Sequence, residues 1–212
     1  MSRRALVVGG APRLAVDAVR FLSVRASGAT ACALASRLRP AGIGVDLLLG
    51  TLAEPTADAL RYDSREDLEA ALRAWLALHP GGVLVMSAAI NDYTVDQVEA
   101  ERDGATTAYT PGAKVPSGAD ALVIRLRPAS KVIDQLRGWG HTGPLVGFKY
   151  EAAATVIASA QALRTRTGAA LVVANSLDGA VQALVGERIE IQADRQALLQ
   201  VLVGRIIALA CS

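Results

Sequence analysis

Short apolar runs recur along the chain with helical stretches between them, and this alternation is the strongest constraint on its fold. Residues 4–8, 45–49, 83–86, 144–150 and 170–175 read as buried strands. Residues 28–40, 64–79 and 151–165 read as helices between them, and an amphipathic helix over 194–210 closes the chain. The 64–79 stretch is the clearest. Ser64 is placed as its N-cap, Glu66 and Asp67 fall in the first turn, and Leu68, Leu72, Trp75 and Leu76 form one apolar face. Strands joined through helices imply βαβ units, a mainly parallel sheet and helices on both of its faces. The expectation is a Rossmann-like α/β fold in one domain.

Three stretches depart from the rhythm. Residues 121–128 alternate and read as a strand exposed on one face, followed by a helix over 130–140 capped by Ser130. The pair QALVG and RIEIQ around Gly186-Glu187 reads as a small C-terminal hairpin. From 95 to 119 the periodicity disappears among Gly104, Pro111, Gly112, Pro116 and Gly118, which predicts a long mobile lid loop.

Composition excludes several functions. With 52% hydrophobic and 20% charged residues in 212, the chain reads as a globular protein able to bury a sizeable core. A net charge of +2 and 4% aromatic residues argue against nucleic-acid binding, and no apolar run approaches a membrane span. Cys32 and Cys211 suggest no disulfide framework, which favours the cytoplasm. His79 and His141 lack acidic or thiol partners at ligand spacing, so no protein-held metal is expected.

The chemistry-bearing signals lie at expected strand ends. After the first strand come Gly9-Gly10, a basic loop and then Ala26-Ser27-Gly28 before a helix, a layout that can hold phosphate on bare backbone N–H groups. An ordinary tight turn explains it equally well, because it is neither GxGxxG nor a Walker A sequence. The third strand runs into Ala88-Ala89-Ile90-Asn91-Asp92-Tyr93, at the sheet edge where open α/β proteins bind ligands. Only three of the 22 basic residues are lysines: Lys114, Lys131 and Lys149.

Taken together, these stretches resemble the phosphopantothenate–cysteine ligase family over about residues 4 to 208. The carriers are Gly9-Gly10-Ala11, Val19-Arg20, Ala26-Ser27-Gly28, Ala88-Ala89 with Asp92-Tyr93, Lys114-Val115 ahead of Leu122–Leu126, Phe148-Lys149-Tyr150-Glu151, and Val173-Ala174-Asn175. The resemblance implies an amide-forming ligase working through an acyl-nucleotidylate. Its substrates would be CTP or ATP with Mg²⁺, a small carboxylate and an amine, acted on by a homodimer. Gly9, Gly10, Ser27 and Gly28 would hold phosphates. Phe148 and Asn175 would contact the nucleotide, with Lys149 adding charge. Ala88, Ala89 and Asp92 would line the acyl pocket, and Arg20 would bind the substrate's phosphorylated tail from across the dimer. Lys114 would close over the phosphates. Lys131 has no matching motif and reads as a structural surface lysine.

The resemblance breaks at four places. Val24 stands where the family has an asparagine tied to amine attack, and valine offers no hydrogen bond there. Ala11 and Ala26 replace hydroxyl residues, and Ala31 replaces a glycine, where a methyl is expected to crowd a phosphate. The alternatives are a nucleotide-binding homologue without catalysis and, more remotely, a dehydrogenase. The glycine spacing and the position of Asp46 within its strand, not at its end, both count against the dehydrogenase.

Overall fold

The computed structural model describes residues 4–110 and 112–212. In chain order the elements are β1 (Arg4–Gly9), the short pair β2 (Leu14–Ala15) and β3 (Phe21–Leu22), α1 (Ala29–Leu38), β4 (Gly44–Gly50), β5 (Ala59–Tyr62), α2 (Arg65–Leu78) and β6 (Val83–Met86). Then come β7 (Tyr93–Arg102), β8 (Ala105–Tyr109), β9 (Ala121–Pro128), α3 (Val132–Gln135) and β10 (Leu145–Glu151). The last are α4 (Ala153–Thr167), β11 (Leu171–Ser176), β12 (Gln182–Val185), β13 (Ile189–Ile191) and α5 (Arg195–Cys211).

Eight strands form the main sheet in the order β13-β12-β11-β10-β6-β1-β4-β5. All neighbours from β11 to β5 run parallel, and β12 and β13 add an antiparallel edge. From β1 the chain winds outward through β4 and β5, then returns to β6 on the other side and winds through β10 to β11. The boundary between β1 and β6 is therefore the point where the strand order reverses, and a crevice opens there at the carboxyl ends.

Strand alternation distributes the core. Leu6 and Val8 of β1 face α2 and α4 through Leu68, Leu72, Trp75, Val156 and Leu163. Ala5 and Val7 face α1 and α5 through Leu34, Leu38, Leu198 and Leu202 on the opposite side. Helices on both faces follow from near-continuous apolar runs in the parallel strands. Helix α2 starts at a reciprocal cap: the Asp67 N–H donates to Ser64 Oγ at 3.0 Å, and the Ser64 N–H donates to Asp67 Oδ2 at 2.9 Å. Among the described residues, no helix is long and apolar enough to cross a membrane.

Two expectations are corrected. The segment 95–119 is mostly strand: β7 and β8 form an antiparallel hairpin turning at Asp103-Gly104, and β9 pairs along the other side of β7. Among the described residues of that segment, the turn at 103–104, residue 110 and residues 112–119 lie outside strands. Its small core comprises Val95, Val98, Ala100 and Val115 together with Val16 of the loop after β1. The helix expected over 130–140 shrinks to the single turn of α3, and Ser130 does not cap it. The chain turns instead, with the Arg137 guanidinium donating to the carbonyls of His141 and Gly143 at 3.0 and 2.9 Å.

His141 is buried there, 1% exposed, with Nε2 3.0 Å from the Gly82 carbonyl oxygen. That oxygen only accepts, so Nε2 carries the proton and the buried Nδ1 has no partner among the described residues. Burial, reinforced by the nearby Arg137 charge, holds the imidazole below its usual range against the opposing effect of the Gly82 bond. The unfolded chain therefore binds a proton that the fold refuses. Stability present above about pH 6.5 should decline as the pH falls below it. Urea midpoints between pH 5 and 8 should show this slope, and H141Q should flatten it.

Candidate functional site

The reversal point of the sheet is built on the two strand ends that flank it. The Ser87 and Ala89 N–H groups donate to the carbonyls of Val8 and Gly10, each at 2.9 Å, which staples the segment after β6 to the glycine turn after β1. The buried Tyr62 hydroxyl donates to the Gly9 carbonyl at 2.8 Å. Gly10 and Gly28 both adopt left-handed conformations, φ 77° and 74°. A Cβ on Gly10 would lie 2.9 Å from the Gly50 nitrogen, so bare backbone is needed there for packing as well as for conformation.

Ala31 points into the core. It is fully buried, and its methyl faces Gly9 across the α1–β1 contact. It therefore fills the core at the contact between α1 and β1. Ser27 is exposed just before α1, and its Oγ accepts from the Ala29 N–H at 3.3 Å.

Beside this turn lies a cavity of about 600 Å³. It brings together Ala88, Ala89, Asp92, Phe148, Lys149 and Asn175, six of the residues singled out in the sequence. Thr30, in the first turn of α1, links the cavity to the glycine turn. Lys149 donates to Glu151 at 2.7 Å, and that bond, together with one from Ser159, holds the Glu151 carboxyl below the usual carboxylate range. Asn175, at the end of β11, is 9% exposed, and its amide oxygen has no partner among the described residues. Its cross-strand partner Gln182 carries a buried, unpartnered amide oxygen of the same kind.

Lys131, exposed as the surface reading expects, also borders this group. Its Nζ sits 3.2 Å from Asp92 Oδ2, and both line the cavity. Lysine scarcity was the signal in the sequence that could have marked it. Arg25 and Arg195 also line the cavity. Arg195 had no signal, because it lies 165 residues from the Thr30 hydroxyl to which it donates.

Arg20 and Lys114 are not brought to this cavity. Arg20 lines a second hollow of about 420 Å³ with Asp17, Phe21 and Tyr93, and Ile90 and Asn91 line both hollows. The Asp17 carboxylate is buried and held low by N–H groups of Val19 and Arg20. It also accepts from the Val115 N–H at 3.4 Å, and Arg20 reaches the Val115 carbonyl at 3.4 Å. Buried Val115 thus anchors the loop, leaving its neighbour Lys114 exposed. Val24 is 40% exposed.

Asp46 leaves no room for the dehydrogenase reading. Its carboxylate is taken by the Arg4 guanidinium at 2.9 and 2.7 Å and by the Trp75 indole N–H at 2.8 Å. Among the described residues, no group of three or more His, Cys, Asp or Glu side chains is placed to hold a metal ion.

Comparison with known proteins gives a consistent picture. The family model described as the DNA/pantothenate metabolism flavoprotein C-terminal domain matches residues 1–197. The coenzyme A biosynthesis bifunctional protein CoaBC of Thermococcus kodakarensis is 29% identical over 180 residues, 82% of this chain and 41% of that protein. The chain thus spans about two fifths of that relative's length. The fold matches the DNA/pantothenate metabolism flavoprotein from Streptococcus pneumoniae with a TM-score of 0.81 at 21% identity, covering 97% of this chain and 98% of that one. It also matches a Cab2 mutant in complex with phosphopantothenate-cysteine, at 0.76 and 15% identity, covering 98% and 86%.

Proposed function

The chain belongs to the DNA/pantothenate metabolism flavoprotein C-terminal domain family, and on that premise we propose that it is a nucleotide-dependent ligase joining a carboxylate to an amine. The observation that carries this reading is the single cavity shared by Ala88, Ala89 and Asp92 with Phe148, Lys149 and Asn175. One half suits an acyl substrate, and the other suits a nucleotide. The carboxylate oxygen attacks the α-phosphorus of CTP or ATP, the bond to the β-phosphate oxygen breaks and pyrophosphate leaves. The amine nitrogen then attacks the acyl carbon and expels the nucleoside monophosphate.

Charge builds on phosphoryl oxygens in the first step, so fixed cations nearby lower its barrier. Lys149 and Lys131 supply them from the cavity wall. Mg²⁺ fits this reading as an ion carried by the triphosphate, since one or two carboxylates plus phosphates suffice to hold it. Phosphopantothenate and cysteine are the substrates to try first, given the relatives' names. A second copy of the chain would cover Val19 and Phe21, which are 69% and 43% exposed, and bring Arg20 toward the partner's cavity.

Incubation with α-labelled CTP or ATP, Mg²⁺ and 4′-phosphopantothenate should release pyrophosphate, and added cysteine should yield the amide. A catalytically silent nucleotide binder is favoured by Val24, which offers no side-chain hydrogen bond to the second step. That reading expects nucleotide binding with no pyrophosphate released by any acid.

A further inference from the structure

The cavity wall carries more positive charge than its own carboxylates answer. Five cationic side chains line it, Arg25, Lys131, Lys149, Arg166 and Arg195, against Asp92 and Glu151. Lys131 pairs with Asp92, Lys149 with Glu151, and Arg166 with Asp134 at 3.0 Å. Arg25 and Arg195 have no carboxylate partner among the described residues. Both sit near the start of α1, where backbone N–H groups already place partial positive charge. That helix has no acidic residue in its first turn and no side-chain cap on Gly28. The Arg195 guanidinium is held against it through the Thr30 hydroxyl. Two guanidiniums beside a positive helix end each attract an anion that enters the cavity.

The loop ahead of α1 offers Ser27, whose Oγ already accepts from the Ala29 N–H, while Ala11, Val24 and Ala26 carry no polar side-chain atoms. Asn175, from β11, lines the same cavity. We propose that Arg25 and Arg195 clamp the polyphosphate tail of a nucleoside triphosphate against the start of α1. The clamp rests on the nucleotide reading above and assigns two binding residues within it. A planar guanidinium suits this role, since it donates two parallel hydrogen bonds to phosphate oxygens.

Calorimetric titration of the full chain with CTP, ATP, CMP and AMP, each with Mg²⁺, tests this. Arg25→Ala and Arg195→Ala should each weaken the preferred triphosphate about tenfold or more, while the monophosphate stays within about twofold. Arg195→Lys should recover part of the loss, and each variant should keep the wild-type unfolding midpoint. Arg37→Ala removes an exposed charge from the last turn of α1 and should leave both affinities unchanged. Equal losses for tri- and monophosphate, no loss at all, or an equal effect of Arg37→Ala would overturn the clamp alone. A wild-type chain that binds none of the four nucleotides overturns the clamp and the nucleotide reading together.

Discussion

Lys149→Ala should lower kcat/KM for pyrophosphate release by about 100- to 1,000-fold, with little change in the unfolding midpoint. Two effects combine. The ammonium is lost from the cavity that would receive the triphosphate, and Glu151 loses the partner that contributes most to holding its carboxyl low. A bare carboxylate then faces the incoming phosphates. The two side chains are 25% and 32% exposed, so the pair itself contributes little to folding. Lys149→Ala combined with Glu151→Gln should therefore recover about tenfold of the lost activity, because the repulsion goes while the missing cation stays missing. If the double variant is as slow as the single one, Glu151 plays no part beyond anchoring the lysine. If the single variant keeps nearly full activity, the cavity is not where phosphate chemistry occurs.

What the sequence disclosed and what it hid have physical reasons. β1, β6, β10 and β11 were legible because a parallel strand covered on both faces is written as a nearly unbroken apolar run. α2 was legible because Ser64 and Asp67 write its first turn explicitly. The β7–β8 hairpin was hidden because it stands off the main core and carries Glu99, Glu101, Thr106 and Thr107. Its signal was nevertheless present. Asp103-Gly104, with φ 52° and 77°, is a two-residue turn of the kind that favours hairpins, flanked by stretches that pair residue for residue. The glycines and prolines that follow between 111 and 118 mask it.

The site divides in the same way. Residues at the ends of β6, β10 and β11 were legible, because strand ends at a reversal point converge whatever the side chains are. Lys131 and Arg195 were not, since their positions depend on a loop turning after β9 and on two helix starts meeting. No local pattern encodes such meetings. Arg20 and Lys114 were legible as motif residues, yet Arg20 packs against Asp17 and Val115 beside the second hollow, and Lys114 is left exposed next to the buried Val115.

The glycine turn itself makes the last and most severe prediction. A Cβ on Gly9 would lie 2.5 Å from the Ala31 Cβ and 3.1 Å from Leu49 Cδ2, and Ala31 and Leu49 are both fully buried. Neither neighbour is a flexible side-chain end free to swing away, so α1 must lift from β1. Gly9→Ala should destabilise the fold by about 2–4 kcal/mol, a large share of the stability of an ordinary domain. Moving the methyl back across the contact should undo this. Gly9→Ala with Ala31→Gly restores one methyl to one gap and should fall within about 1 kcal/mol of wild type, the residue being the helix penalty of glycine. Urea midpoints of the two single variants and the pair decide it. A neutral Gly9→Ala, or a pair no better than the single, would mean that the spacing of α1 from β1 is set elsewhere. A rescued pair would show that this chain accommodates an alanine in its first helix because the opposing strand ends in glycine.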